Sequence, residues 1–151
     1  MIEAATALAR IFSRLRKHGK LTMADGTPQD SPQAQIISWL HQRYDDFVES
    51  LLGLFNTNKP NLQACVEKFI DLRQLASISL VLRLVKDETR HSGGDKVKFS
   101  NRIYKSFVTA FLQCKAVDDF VKKAFLDEYL NKYYDLQYYF LQNTAYLPMK
   151  R

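Results

Sequence analysis

Apolar residues recur at helical spacing along nearly the whole chain, and no stretch sustains an alternation of period two. Over residues 2–18, Leu8, Ile11, Phe12 and Leu15 share one face, and Gly19 is placed to stop the helix. "ADGTPQDSPQ" (24–33) collects Asp, Gly, Pro and Ser and predicts a loop. Ser31 then Pro32 predicts a helix start: a hydroxyl cap, followed by proline where no N–H is needed. Ile36, Leu40, Phe47, Leu51 and Phe55, widened by Ile37, Tyr44, Val48 and Leu52, predict a helix over 32–55. "NTNKPN" (56–61) ends it, and Asn61 can cap the next helix.

Residues 62–90 predict two helices, or one interrupted near 71–74. Leu62, Cys65, Val66, Phe69 and Ile70 make the first stripe. Leu75, Ile78, Leu82 and Val85 make a second, with Leu80 and Leu84 on another side, as in a helix buried between neighbours. "RHSGGD" (90–95) is a turn. A helix over 98–113 turns Phe99, Ile103, Phe107, Val108, Phe111 and Leu112 inward. After a break at 114–116 the next spans 117–130, with Val117, Phe120, Val121, Ala124 and Phe125 as its core face. The last starts at Asp135 as cap and ends before Pro148, with Tyr138, Leu141 and Ala145 inward. Short connections between most elements predict an all-α chain of stacked antiparallel helical hairpins, a HEAT- or armadillo-like helical repeat. Its loops fall near 19–31, 56–61 and 90–97.

Composition agrees. A chain of 151 residues is one domain, or a piece of a larger protein. Its 46% apolar and 13% aromatic content fills a core and excludes a disordered chain. The longest near-apolar run, "ISLVLRLV" (78–85), is too short to span a bilayer and contains Arg83. The first residues lack the layout of a secretory signal. Cys65 and Cys114 lie far apart in apolar patterns and read as buried thiols in a reducing compartment. His18, His41 and His91 have no metal-ligand spacing, so neither a zinc site nor a cofactor is expected.

Charge is uneven. Residues 1–24 carry five basic and one acidic residue, and residues 96–151 carry ten and five. Residues 25–60 carry two basic and five acidic, and residues 61–95 balance at five each. Basic ends suit a polyanionic environment such as RNA. Arg10, Arg14 and Lys17 follow i, i+4, i+7, and so do Lys98, Arg102 and Lys105, which would place three cations on one face of each helix. Either stripe alone also fits a solvated helix face. Trp39 and Arg43, at i, i+4, could stack as a cation–π pair or anchor a partner.

Catalytic candidates are thin. "SGGD" (92–95) lacks the strand–turn–helix context of a phosphate loop. The pairs Asp45/Asp46, Asp118/Asp119 and Asp127/Glu128 point about 100° apart on a helix and do not converge on one atom. No small-molecule substrate is implied. "YLNKYYDLQYYF" (129–140) holds five tyrosines. It reads as packing, with Tyr129 and Tyr138 in the core and Tyr133 and Tyr134 folded onto their hairpin, or else as a base-stacking surface.

Several blocks, in this order, resemble the N-terminal helical region of the nucleolar complex (Noc) protein four family. They are "ALARIFSRLRKHGKL", "WLHQRYDDFVESLLGLF", "SISLVLRLVKDE", "FSNRIYKSFVTAFLQC" and "FLDEYLNKYYDLQYY". The resemblance covers about residues 5–145 and rests on helix-packing patterns, not on a chemical motif. It implies a non-enzymatic assembly factor of the small ribosomal subunit, acting in the nucleolus within the small-subunit processome. A Nop-type partner protein and pre-ribosomal RNA nearby are implied with it. Family members are several times longer, so the chain resembles a single helical-repeat domain from the N-terminal part of a longer protein. The tyrosine cluster then resembles a family packing feature. Two other readings stay open: a direct RNA-binding helical module, and an unrelated helical adaptor.

Overall fold

The computed structural model describes residues 2–53, 55, 64–91 and 97–147, with the backbone alone over 64–70. Among these residues six α-helices follow one another: α1 (Ile2–Lys17), α2 (Pro32–Gly53), α3 (Ala64–Arg90), α4 (Asn101–Gln113), α5 (Asp119–Phe125) and α6 (Tyr134–Ala145). No strand occurs among the described residues. The fold is an all-α stack of helical hairpins. The expected segment 56–61, the cap at Asn61 and the side chain of Cys65 lie outside the described residues.

The helix ends follow their local chemistry. After α1 the chain turns through Gly19 at φ +67, a conformation that costs other residues a Cβ clash. Gly19 N–H donates to Arg16 C=O (3.0 Å) and Lys20 N–H to Leu15 C=O (2.9 Å), a Schellman pair that satisfies the last carbonyls. Ser31 Oγ accepts from Ala34 N–H at 3.2 Å and caps α2, with Pro32 as first helical residue. The loop between them is anchored by Leu21, which is buried, and by His41 Nε2–H donating to Leu21 C=O at 2.6 Å. Asp118 caps α5 by accepting from Val121 N–H at 3.1 Å. A π-helical turn, Leu126–Leu130, extends α5, and Asn131 N–H reaches back to Leu126 C=O.

The interruption considered near 71–74 is absent: α3 runs unbroken. No Gly or Pro lies in it, and Asp71, Gln74 and Ser77 are polar residues on its buried side rather than a loop. Ser77 Oγ donates to Leu51 C=O at 2.9 Å, which ties α3 to α2. Around this central helix pack α1, α2, α4 and α5, while α6 lies on α4. Aromatic rings fill the interior. Phe55, Phe107, Phe111 and Phe125 meet edge-on or tilted at 5.1–6.0 Å, and Phe12 sits on Tyr44 at 5.2 Å.

The inward faces differ from the expected ones in five helices. In α1, which packs on α3, Ala9 and Phe12 are buried, while Leu8 and Ile11 are exposed. In α2, Ala34 and Ile37 turn inward and Ile36 is 60% exposed. In α5, Phe120 stands in solvent, as does Leu112 at the end of α4. In α6 the inward set is Leu136, Tyr139, Phe140 and Asn143, at i, i+3, i+4 and i+7. Tyr138, Leu141 and Ala145 therefore face outward, not into the core. Tyr133, not Asp135, is the residue before α6, and Asp135 Oδ1 accepts from Leu136 N–H at 2.8 Å inside the first turn.

Candidate functional site

Three surfaces hold the candidate side chains. On the first, α1 and the end of α3 border an open groove of about 580 Å³. Arg10, Arg14 and Lys17 form one wall, and Arg83, Arg90 and His91 the other. Asp87 is the only carboxylate among the described lining residues. It accepts a short hydrogen bond from Ser13 Oγ, and its backbone carbonyl accepts from His91 Nδ1–H at 2.8 Å. The stripe on α1 thus meets cations from α3 that the sequence did not single out. The signal was present: Arg83, Lys86 and Arg90 recur at i, i+3, i+7, masked by the apolar residues between them.

The second expected stripe is divided. Lys98 lies in the non-helical lead-in, residues 97–100, and does not share a helix with Arg102 and Lys105. Ser100 precedes α4 but spends its hydroxyl elsewhere, donating to Glu88 Oε2 at 2.7 Å. Arg102 turns to carboxylates, donating to Asp45 Oδ1 and to Glu88 Oε1, each at 2.9 Å. Burial works against its charge, but Glu88 and Asp45 outweigh burial and hold its pKa above the ordinary guanidinium value. Arg102 is therefore engaged within the fold. Lys105 is exposed on the outer side of α4.

Glu88 is the centre of this network. It is buried in α3, accepts from Tyr44 Oη–H at 3.1 Å, and has Arg16 at 3.5 Å. Arg16 and Arg102 also lie over the Tyr44 ring, at 5.0 and 6.0 Å from its centroid. Burial, reinforced by the charge of Glu88, pushes the Tyr44 phenol well above its ordinary range. One carboxylate thus joins α1, α2, α3 and the start of α4. Nothing in the charge pattern distinguished Glu88 from the neighbouring Asp87.

The second surface carries Trp39, which is 57% exposed. Arg43 lies over its ring at 6.0 Å and pairs with Asp46 at 2.9 Å. Beside it is a shallow hollow with Met23, Gln35 and Gln42 on its walls. The i, i+4 spacing placed the two side chains together on the solvent face.

The third surface is the tyrosine-rich end. Tyr129, in the π-helical turn, packs against the core, as expected. Tyr133 and Tyr134 do not fold onto the hairpin: Tyr134 is 88% exposed, and Tyr138 and Leu141 are exposed along α6. Tyr139 stacks on Phe99 at 4.3 Å. Behind Tyr133 a cavity of about 470 Å³ runs between α3 and the start of α6, bordered by Arg83, Lys86, Arg90, Phe99 and Tyr129.

No group of three or more His, Cys, Asp or Glu side chains is placed to hold a metal ion among the described residues. No helix there is long and apolar enough to cross a membrane. Cys114 is a free, partly buried thiol.

An all-α stack of successive helices, with no strand among the described residues, is consistent with a helical-repeat protein. The chain belongs to the nucleolar complex protein 4-like family, whose TPR-repeat profile matches residues 1–150. It is similar to an uncharacterised protein of Schizosaccharomyces pombe, 26% identical over 142 residues, covering 94% of this chain and 27% of that protein. It is similar also to nucleolar complex protein 4 of Saccharomyces cerevisiae, 22% identical over 147 residues, covering 89% of this chain and 25% of that one. The chain spans about a quarter of the length of these relatives. No solved structure matches it.

Proposed function

We propose that this chain is a non-enzymatic scaffold of ribosome biogenesis, working in the nucleolus on assembly of the small ribosomal subunit. Family membership across residues 1–150 is the observation that carries this reading. The geometry is compatible with it. A stack of helices offers rigid surfaces, and Trp39 on α2 and Tyr134, Tyr138 and Leu141 on α6 supply exposed aromatic and apolar anchors of the kind that protein partners bury. In this reading residues 1–151 form one helical-repeat domain of a longer protein. Its partners are a Nop-type protein and other factors of the small-subunit processome, with pre-ribosomal RNA close by.

The test is affinity purification of the tagged chain from cell extract, with and without RNase, reading both protein and RNA. Small-subunit assembly factors that persist after RNase treatment support the scaffold reading. If no assembly factor is recovered under either condition, the reading fails for these residues.

A further inference from the structure

The cations on the outer faces of α1 and α3 are not neutralised by their neighbours. Among the described residues, none of Arg10, Arg14, Lys17, Arg83, Lys86 and Arg90 forms a salt bridge. On α5 and the turns after it the opposite holds. Lys122, Lys123 and Lys132 lie 3.7, 2.8 and 2.7 Å from Asp119, Asp127 and Glu128. Among the described residues, positive charge is thus in excess on one side of the molecule.

That side is continuous. Arg83 and Arg90 line both the groove toward α1 and the cavity toward the tyrosine-rich end, so α3 is the ridge between two connected hollows. Two carboxylates border them, Asp87, which accepts from Ser13 Oγ, and Asp135, which accepts from the Leu136 N–H; neither forms a salt bridge with these cations, which outnumber them in both linings. At the far edge stands Tyr133, half exposed beside Lys86 and Arg90. Cations along a track with an accessible ring at its end are what a flexible polyanion with planar bases requires.

We propose that this surface binds single-stranded RNA, with phosphates following the cations of α1 and α3 and a base stacking on Tyr133. The inference rests on the reading above and deepens it: RNA passes from neighbour to contact. A duplex hides its base faces within the stack, so it leaves the Tyr133 ring without a role. An acidic peptide would likewise use the cations and not the ring.

The experiment is fluorescence anisotropy with a labelled single-stranded RNA of about 12 nucleotides, within the usual span of such sites, titrated across KCl concentrations. In the wild-type chain log K falls linearly with log salt. Arg83→Gln/Lys86→Gln/Arg90→Gln weakens binding at least about tenfold at low salt and flattens the slope by about 2, near 0.7 for each lost phosphate contact. Tyr133→Ala weakens binding about fivefold or more with the slope unchanged, because it carries no phosphate. Lys122→Gln/Lys123→Gln/Lys132→Gln removes the same formal charge and changes little. Circular dichroism confirms that each variant keeps its helices.

Three results would overturn the proposal. They are no wild-type binding at low salt, equal losses in the two triple variants, or competition by polyglutamate as strong as by unlabelled RNA. The last would reassign the surface to an acidic protein. Loss of RNA binding with assembly factors still recovered after RNase would sink this inference alone. RNA binding that depends on α3, with no factors recovered, would sink the scaffold reading alone.

Discussion

Gln74 is fully buried in α3, and neither its Nε2 nor its Oε1 has a hydrogen-bond partner among the described residues. A buried amide without partners carries a desolvation cost of about 1–3 kcal/mol. Gln74→Leu is close in volume and apolar, so it should raise stability by about 1 kcal/mol, read from the midpoint of a urea melt. A marked loss of stability would mean that the amide is paired in solution. The buried phenols set an alkaline limit. Tyr104 Oη–H donates to Leu136 C=O at 2.9 Å. Burial, then the charge of Asp135, pushes its pKa above the ordinary value, as burial and Glu88 do for Tyr44. A folded pKa above the unfolded one means that the stabilisation is complete below about pH 10 and is lost as pH rises from there. Thermal midpoints should therefore be insensitive to these groups near neutrality and fall above about pH 10. Tyr104→Phe should cost about 1 kcal/mol at neutral pH and make that fall shallower.

At the scale of elements, α4 and α6 are joined by a reciprocal amide pair. Asn101 Nδ2 donates to Asn143 Oδ1, and Asn143 Nδ2 to Asn101 Oδ1, both at 2.9 Å. Asn143 is buried in the inward stripe of α6, so truncating either partner leaves the other amide short of bonds. Asn143→Ala should cost about 1–3 kcal/mol. In a double-mutant cycle Asn101→Ala should add little to it, because the pair is lost once. Additive losses in denaturant melts would show that the two amides act independently. The pair also explains the phase of α6. With a polar residue in its inward set, the apolar pattern favours Tyr138, Leu141 and Ala145, whereas packing selects Leu136, Tyr139, Phe140 and Asn143.

At the scale of the molecule, Glu88 ties together segments distant in sequence. Tyr44, Ser100, Arg102 and Arg16 converge on it from three other segments. Glu88→Ala would strand the buried Tyr44 hydroxyl and leave two guanidinium groups without their shared anion. Part of the Coulomb loss is screened, because Arg102 is more than half exposed. A cost of about 2–4 kcal/mol is expected, with a single cooperative transition at a lower denaturant midpoint. A change below about 0.5 kcal/mol would mean that water replaces the network freely.

Local signals in the chain were enough to establish its helical character. The spacing of apolar residues, Gly19, and Ser31 followed by Pro32 act within one or two turns of backbone, so they are legible without a fold. The i, i+4 meeting of Trp39 and Arg43 was legible for the same reason. The family was legible too, since its pattern is the order of those helices. Packing settled everything that depends on a neighbour distant in sequence. It chose Ala9 over Leu8 for the buried side of α1, because the neighbours packed against a helix decide which of its faces is covered. It took Arg102 out of a basic stripe and into ion pairs with the buried Glu88 and the exposed Asp45, because both carboxylates arrive from other helices. It also set Arg83, Lys86 and Arg90 between the α1 stripe and Tyr133. A surface exists only once helices pack, and no periodicity within one helix specifies which cations of another will stand beside it.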